Sequence, residues 1–305
     1  MKNDTVEYYE IKAGRYSYYA RMSTKYNRSG NPYLHGFDFG GQMKGCIKIT
    51  VEVPNADYER FKQFEEFKKI ADISWIGFNT KCSIHDNLPS GVGTRHLIKT
   101  AMTFVLMSCN WIEKFSLTDA SKVVCKEGIK VSLSYISIVT NGKTYYEKYL
   151  GAYLQNDHLR NEYQEGIAKL RDPKAKLPLD DFCNFCNIPL TTKELIGPIY
   201  EESGTYIEFF KRFKQQTTKD RPFCWLIQPW VETFVDAIIN GKKNQYWVLK
   251  WLVDKSKVTQ IDIQNSKVIQ NSDLLKIQSV FQEEFKEYEL VGGTTTSAVL
   301  GPNDY

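Results

Sequence analysis

The sequence predicts an α+β chain: strands and helices alternate through the N-terminal half, and a mainly helical region follows. Three observations carry this. Apolar and polar residues alternate with period two through 6–22 and 46–53. A glycine turn, Leu88-Pro89-Ser90-Gly91-Val92-Gly93-Thr94-Arg95-His96-Leu97, joins a strand to an apolar helix over 97–109. Beyond about residue 156, helix-like segments separated by Pro and Gly take over.

In order, residues 6–22 read as a strand pair or one bent strand around Ala13-Gly14, and 27–32 as a turn cluster. Residues 46–53 form a strand closed by Pro54-Asn55. Asn55 caps a helix through Ile70, with Tyr58, Phe61, Phe64, Phe67 and Ile70 on one face. Residues 72–85 follow as a strand with a bend near Gly77; after the glycine turn and its helix, 112–119 alternate as another strand. Next come an apolar segment over 131–139, the turn Asn141-Gly142 and a Tyr-rich helix over 144–154. Helices are expected at 162–171, 192–202, 206–216, 225–239, 245–255 and 273–289, with a short edge strand within 258–268. The expected organisation is a domain over 1–156, a helical region over 157–291 and a flexible tail over 292–305, rich in Thr, Gly and Ser.

The 305 residues suit one large domain or two ordinary ones, and 42% hydrophobic with 25% charged residues places the chain among globular proteins. Lys plus Arg number 40 against 36 Asp plus Glu, an excess that attracts anions weakly and leaves no nucleic-acid footprint. The polar opening Met1-Lys2-Asn3-Asp4-Thr5 predicts no signal peptide, and no apolar run suits a bilayer; a soluble chain made in a reducing compartment is expected. Seven scattered Cys predict no disulfide framework. Cys183 and Cys186 read as two half-buried structural thiols, because no His lies beyond His158 to complete a metal site.

The chemistry-bearing feature is the glycine turn. Glycines let the main chain approach a ligand closely, and first-turn N–H groups with the helix dipole favour an anion. The plain alternative is a strand-to-helix connection with Thr94 as N-cap. A P-loop is excluded, since no Gly-Lys-Ser/Thr ending follows; so are a Rossmann turn, a Gly-x-Ser-x-Gly elbow and a His-x-x-x-His metal pair.

Gly91-Val92-Gly93-Thr94 ahead of an apolar helix resembles the pyrophosphate-binding turn of GCN5-related N-acetyltransferases (GNAT). Tyr145-Tyr146-Glu147-Lys148-Tyr149-Leu150-Gly151-Ala152 looks like that family's Tyr-Glu-Lys-Leu-Gly-Phe segment. With 117–121 and 141–146 added, the pattern is similar to GNAT-like proteins of large nucleocytoplasmic DNA viruses of amoebae and algae. The resemblance covers roughly residues 45–155. It implies a GNAT-like mixed central sheet flanked by helices. It also implies acetyl-CoA held by Gly91, Val92, Gly93, Thr94 and Arg95, with Tyr146 as the acid that protonates the leaving thiolate. The chain departs from the family pattern where Leu88 occupies a position at which the family carries Arg or Gln, where one extra residue precedes Gly151, and where Ala152 replaces the expected Phe. His85 and Asp86, near the end of the preceding strand, are the candidates for the base, against an ordinary turn role.

Two functions follow. One is an acetyl-CoA-dependent N-acyltransferase acting on an amine. The other is a non-catalytic GNAT-like virion or assembly protein that contacts partners through its C-terminal region, where Trp225, Trp230, Trp247 and Trp251 lie. Nucleic acid is not indicated, and the resemblance implies a location in the virion or the host cytoplasm.

Overall fold

The computed structural model describes residues 2–42, 45–54, 69–76, 80–89, 92–118, 122–125, 130–218, 221–239, 250–258, 260–269 and 281. The chain forms two compact units: one built from Met1–Thr118 and a returning stretch that begins at Trp251, the other from Asp119–Lys250. This compactness boundary and the change of composition near residue 156 are different features of the chain.

The elements run β1 (Thr5–Ala13), β2 (Tyr16–Tyr26), β3 (Pro32–Gly40), β4 (Ile47–Glu52), β5 (Ile70–Ile76), α1 (Val92–Ser108) and β6 (Lys114–Thr118). There follow β7 (Lys122–Val124), β8 (Lys130–Ser132), α2 (Leu133–Asn141), α3 (Tyr145–Leu150), β9 (Tyr153–Leu154) and α4 (Asp157–Arg171). The helices α5 (Leu179–Cys186), α6 (Leu190–Glu201), α7 (Tyr206–Gln216) and α8 (Phe223–Ile239) precede β10 (Lys250–Asp254) and β11 (Ile263–Val268).

In the first unit the strands form a mixed sheet in the order β11-β1-β2-β3-β4-β5-β6-β10. Pairing is antiparallel from β11 to β5 and parallel between β5 and β6. Gly14, at φ +58°, supplies the reversal between β1 and β2. Register then lines up one buried row across the strands: Ile11 faces Tyr18, Ala20 faces Phe39, Phe37 faces Ile49, Ile49 faces Ile73, and Ile73 faces Leu117. Each of these side chains is at most 5% exposed, so the alternation in the sequence marks a true core face.

Helix α1 covers that face. Its Phe104 ring meets Tyr9, Phe37 and Phe39 at centroid distances of 5.2, 6.3 and 5.8 Å, all edge-on. On the other face, Arg21 and Asp38 sit directly opposite on β2 and β3 and form an ion pair at 2.6 Å. β4 and β5 slip register at Lys48/Ile49, and the pairing of β5 with β6 ends at Ile73–Leu117. β5 then continues to Ile76 in register with β4. The two parallel strands are joined through α1, and β6 ends one residue beyond the last pair, at Thr118.

The second unit is helical, with one antiparallel hairpin, β7–β8. Its core is an aromatic cluster: Phe182, Tyr200, Tyr206, Phe209, Phe210, Trp230 and Phe234 are each at most 1% exposed. Phe182 lies within 6 Å of five of those rings. Local signals set the helix ends. Thr144 and Glu147 make a reciprocal capping box at the start of α3, Asn156 caps α4, and Thr205 caps α7. Gly142 and Gly151, in the left-handed conformation, stop α2 and α3.

Several expectations change. Four of the seven cysteines pair, as Cys46–Cys82 and Cys125–Cys224, across sequence separations of 36 and 99; the expectation of no disulfide framework is overturned, because separation in sequence does not reveal proximity in space. The expected strand over 72–85 ends at Ile76, and a 3-10 turn occupies Thr80–Cys82. The Tyr-rich helix stops at Leu150, because Gly151 turns the chain. Residues 250–254, expected in a helix, form β10, whose Trp251, Leu252 and Val253 are all buried. The expected helix over 55–70 lies outside the described residues apart from Lys69 and Ile70, and the expected helix over 273–289 lies outside them apart from Phe281. The tail over 292–305 also lies outside them.

Candidate functional site

The start of α1 is held from behind by the loop over 80–89. Ser17 of β2 accepts two hydrogen bonds on its carbonyl, from Ile84 N at 2.8 Å and Ser83 Oγ at 3.1 Å. Gln42 N donates to the Lys81 and Ser83 carbonyls at 3.0 and 3.3 Å, and the Cys46–Cys82 bridge ties the same stretch to β4's leading edge. Gly41 lets the chains approach this closely: a Cβ there would lie 2.4 Å from the Ser83 carbonyl carbon.

Leu88 is 1% exposed, and its N–H donates to the Thr80 carbonyl at 2.7 Å. The residue standing in place of the family's Arg or Gln is thus an inward apolar anchor. Gly93 is required beside it, since a Cβ would come within 2.7 Å of the Leu88 Cβ. The Gly93 N–H donates to the Pro89 carbonyl at 2.7 Å, the i→i−4 bond of a helical turn. α1 begins at Val92, so Thr94 lies inside the helix rather than at its N-cap. Val92 precedes the first such bond and is 57% exposed. Arg95 is half-buried, and Gly91 lies outside the described residues.

Two features of this helix start favour negative charge. No acidic residue occupies its first described turn, so nothing on that turn offsets the helix dipole. The Thr94 hydroxyl is buried, the residue being 3% exposed, and has no hydrogen-bond partner among the described residues. A buried hydroxyl without a partner costs about 1–3 kcal/mol, and such groups are rare in folded proteins.

The candidate base residues His85 and Asp86 are exposed, in a bend beyond the 3-10 turn and not at a strand end. Tyr146 belongs to the second unit, on a six-residue helix, is 4% exposed and packs edge-on against Tyr145 at 5.6 Å. The sequence-expected residues thus divide: Val92, Gly93, Thr94 and Arg95 share one helix start, His85 and Asp86 lie on the loop before it, and Tyr146 is on another body. Of the tryptophans, Trp230 and Trp251 are at most 2% exposed and pack cores, Trp225 is half-buried, and Trp247 lies outside the described residues. Cys183 and Cys186 are buried free thiols; burial pushes the Cys186 thiol up to about 12 and raises that of Cys183, so neither is a ready nucleophile.

One cluster was not singled out by the sequence. His96, one turn into α1, meets the β1–β2 hairpin: its Nδ1 lies 2.8 Å from the Tyr18 hydroxyl, and the Tyr16 ring packs edge-on at 5.1 Å. Arg15 donates through Nη2 to the Tyr16 hydroxyl, its guanidinium 4.7 Å from the ring centre. Burial, then the Arg15 charge, lowers the His96 pKa below its ordinary value, so the ring is neutral at pH 7. Burial, then Tyr16, raises that of Tyr18, which stays a phenol. The signal available in sequence was a Gly14-Arg15 turn flanked by alternating tyrosines, with nothing to connect it to His96.

A separate cavity of about 500 Å³ lies along the later turns of α1, lined by Thr103, Leu106, Met107, Lys255 and residues 260–263. Among the described residues no helix is long and apolar enough to cross a membrane, and no group of three or more His, Cys, Asp or Glu is arranged to hold a metal. Compared with known proteins, the chain matches no family model, no curated protein and no solved structure.

Proposed function

We propose that the first unit is a GNAT-like acyltransferase fold that binds acetyl-CoA by its diphosphate at the start of α1. The observation that carries this reading is the buried Thr94 hydroxyl, without a partner among the described residues, on a helix start with no acid in its first described turn. The surrounding geometry supports it. The parallel pair β5–β6 joined through α1, with pairing that ends at Ile73–Leu117, has the connectivity expected of a ligand slot at the carboxyl ends of two strands.

In this reading acetyl-CoA supplies an activated thioester for transfer to an amine. The Val92 main chain and the Thr94 hydroxyl hold the diphosphate, Gly93 keeps the main chain close, and Arg95 supplies positive charge. Assignment of Tyr146 as the acid, and of His85 or Asp86 as the base, rests on the resemblance alone.

Acetyl-CoA at a hundredfold excess over its dissociation constant should stabilise the protein by about 2.7 kcal/mol, read as a thermal shift. Thr94→Val should remove most of that shift. If binding is seen, Tyr146→Phe should lower turnover more than affinity, and unchanged turnover would strike Tyr146 from the mechanism.

A second reading is a GNAT-like protein without transfer chemistry that acts through protein contacts. The buried Tyr146 and the inward Leu88 favour it. Absence of any shift at millimolar acetyl-CoA would select this reading over the first.

A further inference from the structure

We infer that Arg15 and His96 form a binding site for one compact oxyanion of the phosphate class, at the β1–β2 turn. Tyr18 is 0% exposed, and the acceptor within reach of its hydroxyl is His96 Nδ1, at 2.8 Å. A buried phenol that failed to donate would forfeit its hydrogen bond, so Tyr18 donates and Nδ1 accepts. Thr100, the other polar neighbour of that ring edge, already donates to the His96 carbonyl at 2.8 Å.

With Nδ1 accepting, the neutral ring carries its proton on Nε2. His96 is therefore fixed as a donor and is no base at that nitrogen. Nε2 of the half-buried His96 sits beside Gly14, 3.9 Å from where a Cβ would stand, so no side chain of residue 14 lies over it. The next residue, Arg15, is exposed and has no ion-pair partner among the described residues. Its Nη2 is engaged by the Tyr16 hydroxyl, which orients the guanidinium and leaves its other N–H groups for a ligand. A directed N–H and a positioned guanidinium, both packed against the Tyr16 ring, suit the tetrahedral oxygens of phosphate. The site uses no amide of α1, so it stands or falls independently of the acetyl-CoA reading. The phosphate group is either free or carried on a larger ligand.

The test is long-range 1H–15N NMR of the full chain labelled at histidine, with the His96 signals assigned by loss in His96→Gln. At neutral pH His96 should show the Nε2–H pattern, and inorganic phosphate should move its Nε2 resonance in a saturable way. Arg15→Gln, a surface change that leaves the fold intact, should weaken that binding about tenfold, or about 1.4 kcal/mol. Tyr18→Phe should release the tautomer and weaken binding as well. A parallel titration with adenosine 5′-monophosphate, which carries one phosphate, separates the sources: markedly tighter binding that Arg15→Gln weakens assigns the group to a nucleotide, and equal binding assigns it to free phosphate. An Nδ1–H pattern in the wild-type chain, or no response of His96 to either anion, would overturn the inference.

Discussion

The starts of α1 and α3 pose the same physical problem and solve it differently. At α3, the Thr144 side chain accepts from the Glu147 N–H at 3.2 Å and the Glu147 carboxylate accepts from the Thr144 N–H at 2.8 Å. Tyr163 donates to that carboxylate as well, so its polar atoms are served from several sides. At α1, the corresponding turn carries an exposed Val92, no acid and a buried Thr94 hydroxyl with no described partner. The start of α3 is closed by its own side chains, whereas among the described residues the start of α1 is not.

Four perturbations test the contrast. The largest effect should come from the bridge that positions the loop before α1. Cys46→Ser, which opens a closure spanning 36 residues, should cost roughly 4 kcal/mol by chain entropy, read by urea unfolding. Thiol titration of the denatured, unreduced wild type should find Cys109, Cys183 and Cys186 alone reactive. Next, Gly93→Ala should cost about 1–3 kcal/mol from the clash with Leu88, and a neutral result would mean that this loop yields easily.

Third, Thr144→Ala should destabilise the chain by about 1 kcal/mol, whereas Thr94→Val should leave stability unchanged or raise it. Equal losses at the two threonines would erase the distinction between the helix starts. The smallest effect concerns pH. Burial raises the Glu147 pKa above its ordinary value, against the lowering pull of Tyr163 and Thr144. The folded state then binds more protons than the unfolded one above the unfolded pKa. This contribution therefore favours folding at low pH and diminishes as pH rises through the folded pKa. Glu147→Gln should flatten that slope in a stability–pH profile.

Much of the fold was legible because its signals are local. The alternation through β1, β2 and β4, the helical spacing of α7 and α8, and the glycine stop of α2 each depend on neighbours in sequence. β10 was not legible, since Trp251-Leu252-Val253 is buried on both faces and its short apolar run carries no strand period. The disulfides and the Tyr18–His96 pair, separated by 78 residues, were invisible for a different reason: their partners meet only after folding. The glycine turn marks the start of α1 in sequence, but the burial of the Thr94 hydroxyl and the Tyr18–His96 contact required atomic distances.

The sheet's outer border has a consequence for synthesis on the ribosome. Tyr9 on β1 pairs with Val268 on β11, so β1 waits for a strand made after the whole second unit before its border is complete. The whole segment Asp119–Lys250 emerges in between and holds its own aromatic core. Closing so long a span is slow, because its entropy is lost before any distant contact rewards it. The inserted helices are thus able to mature first, while the nascent sheet keeps a bare margin that invites a chaperone or a stray strand.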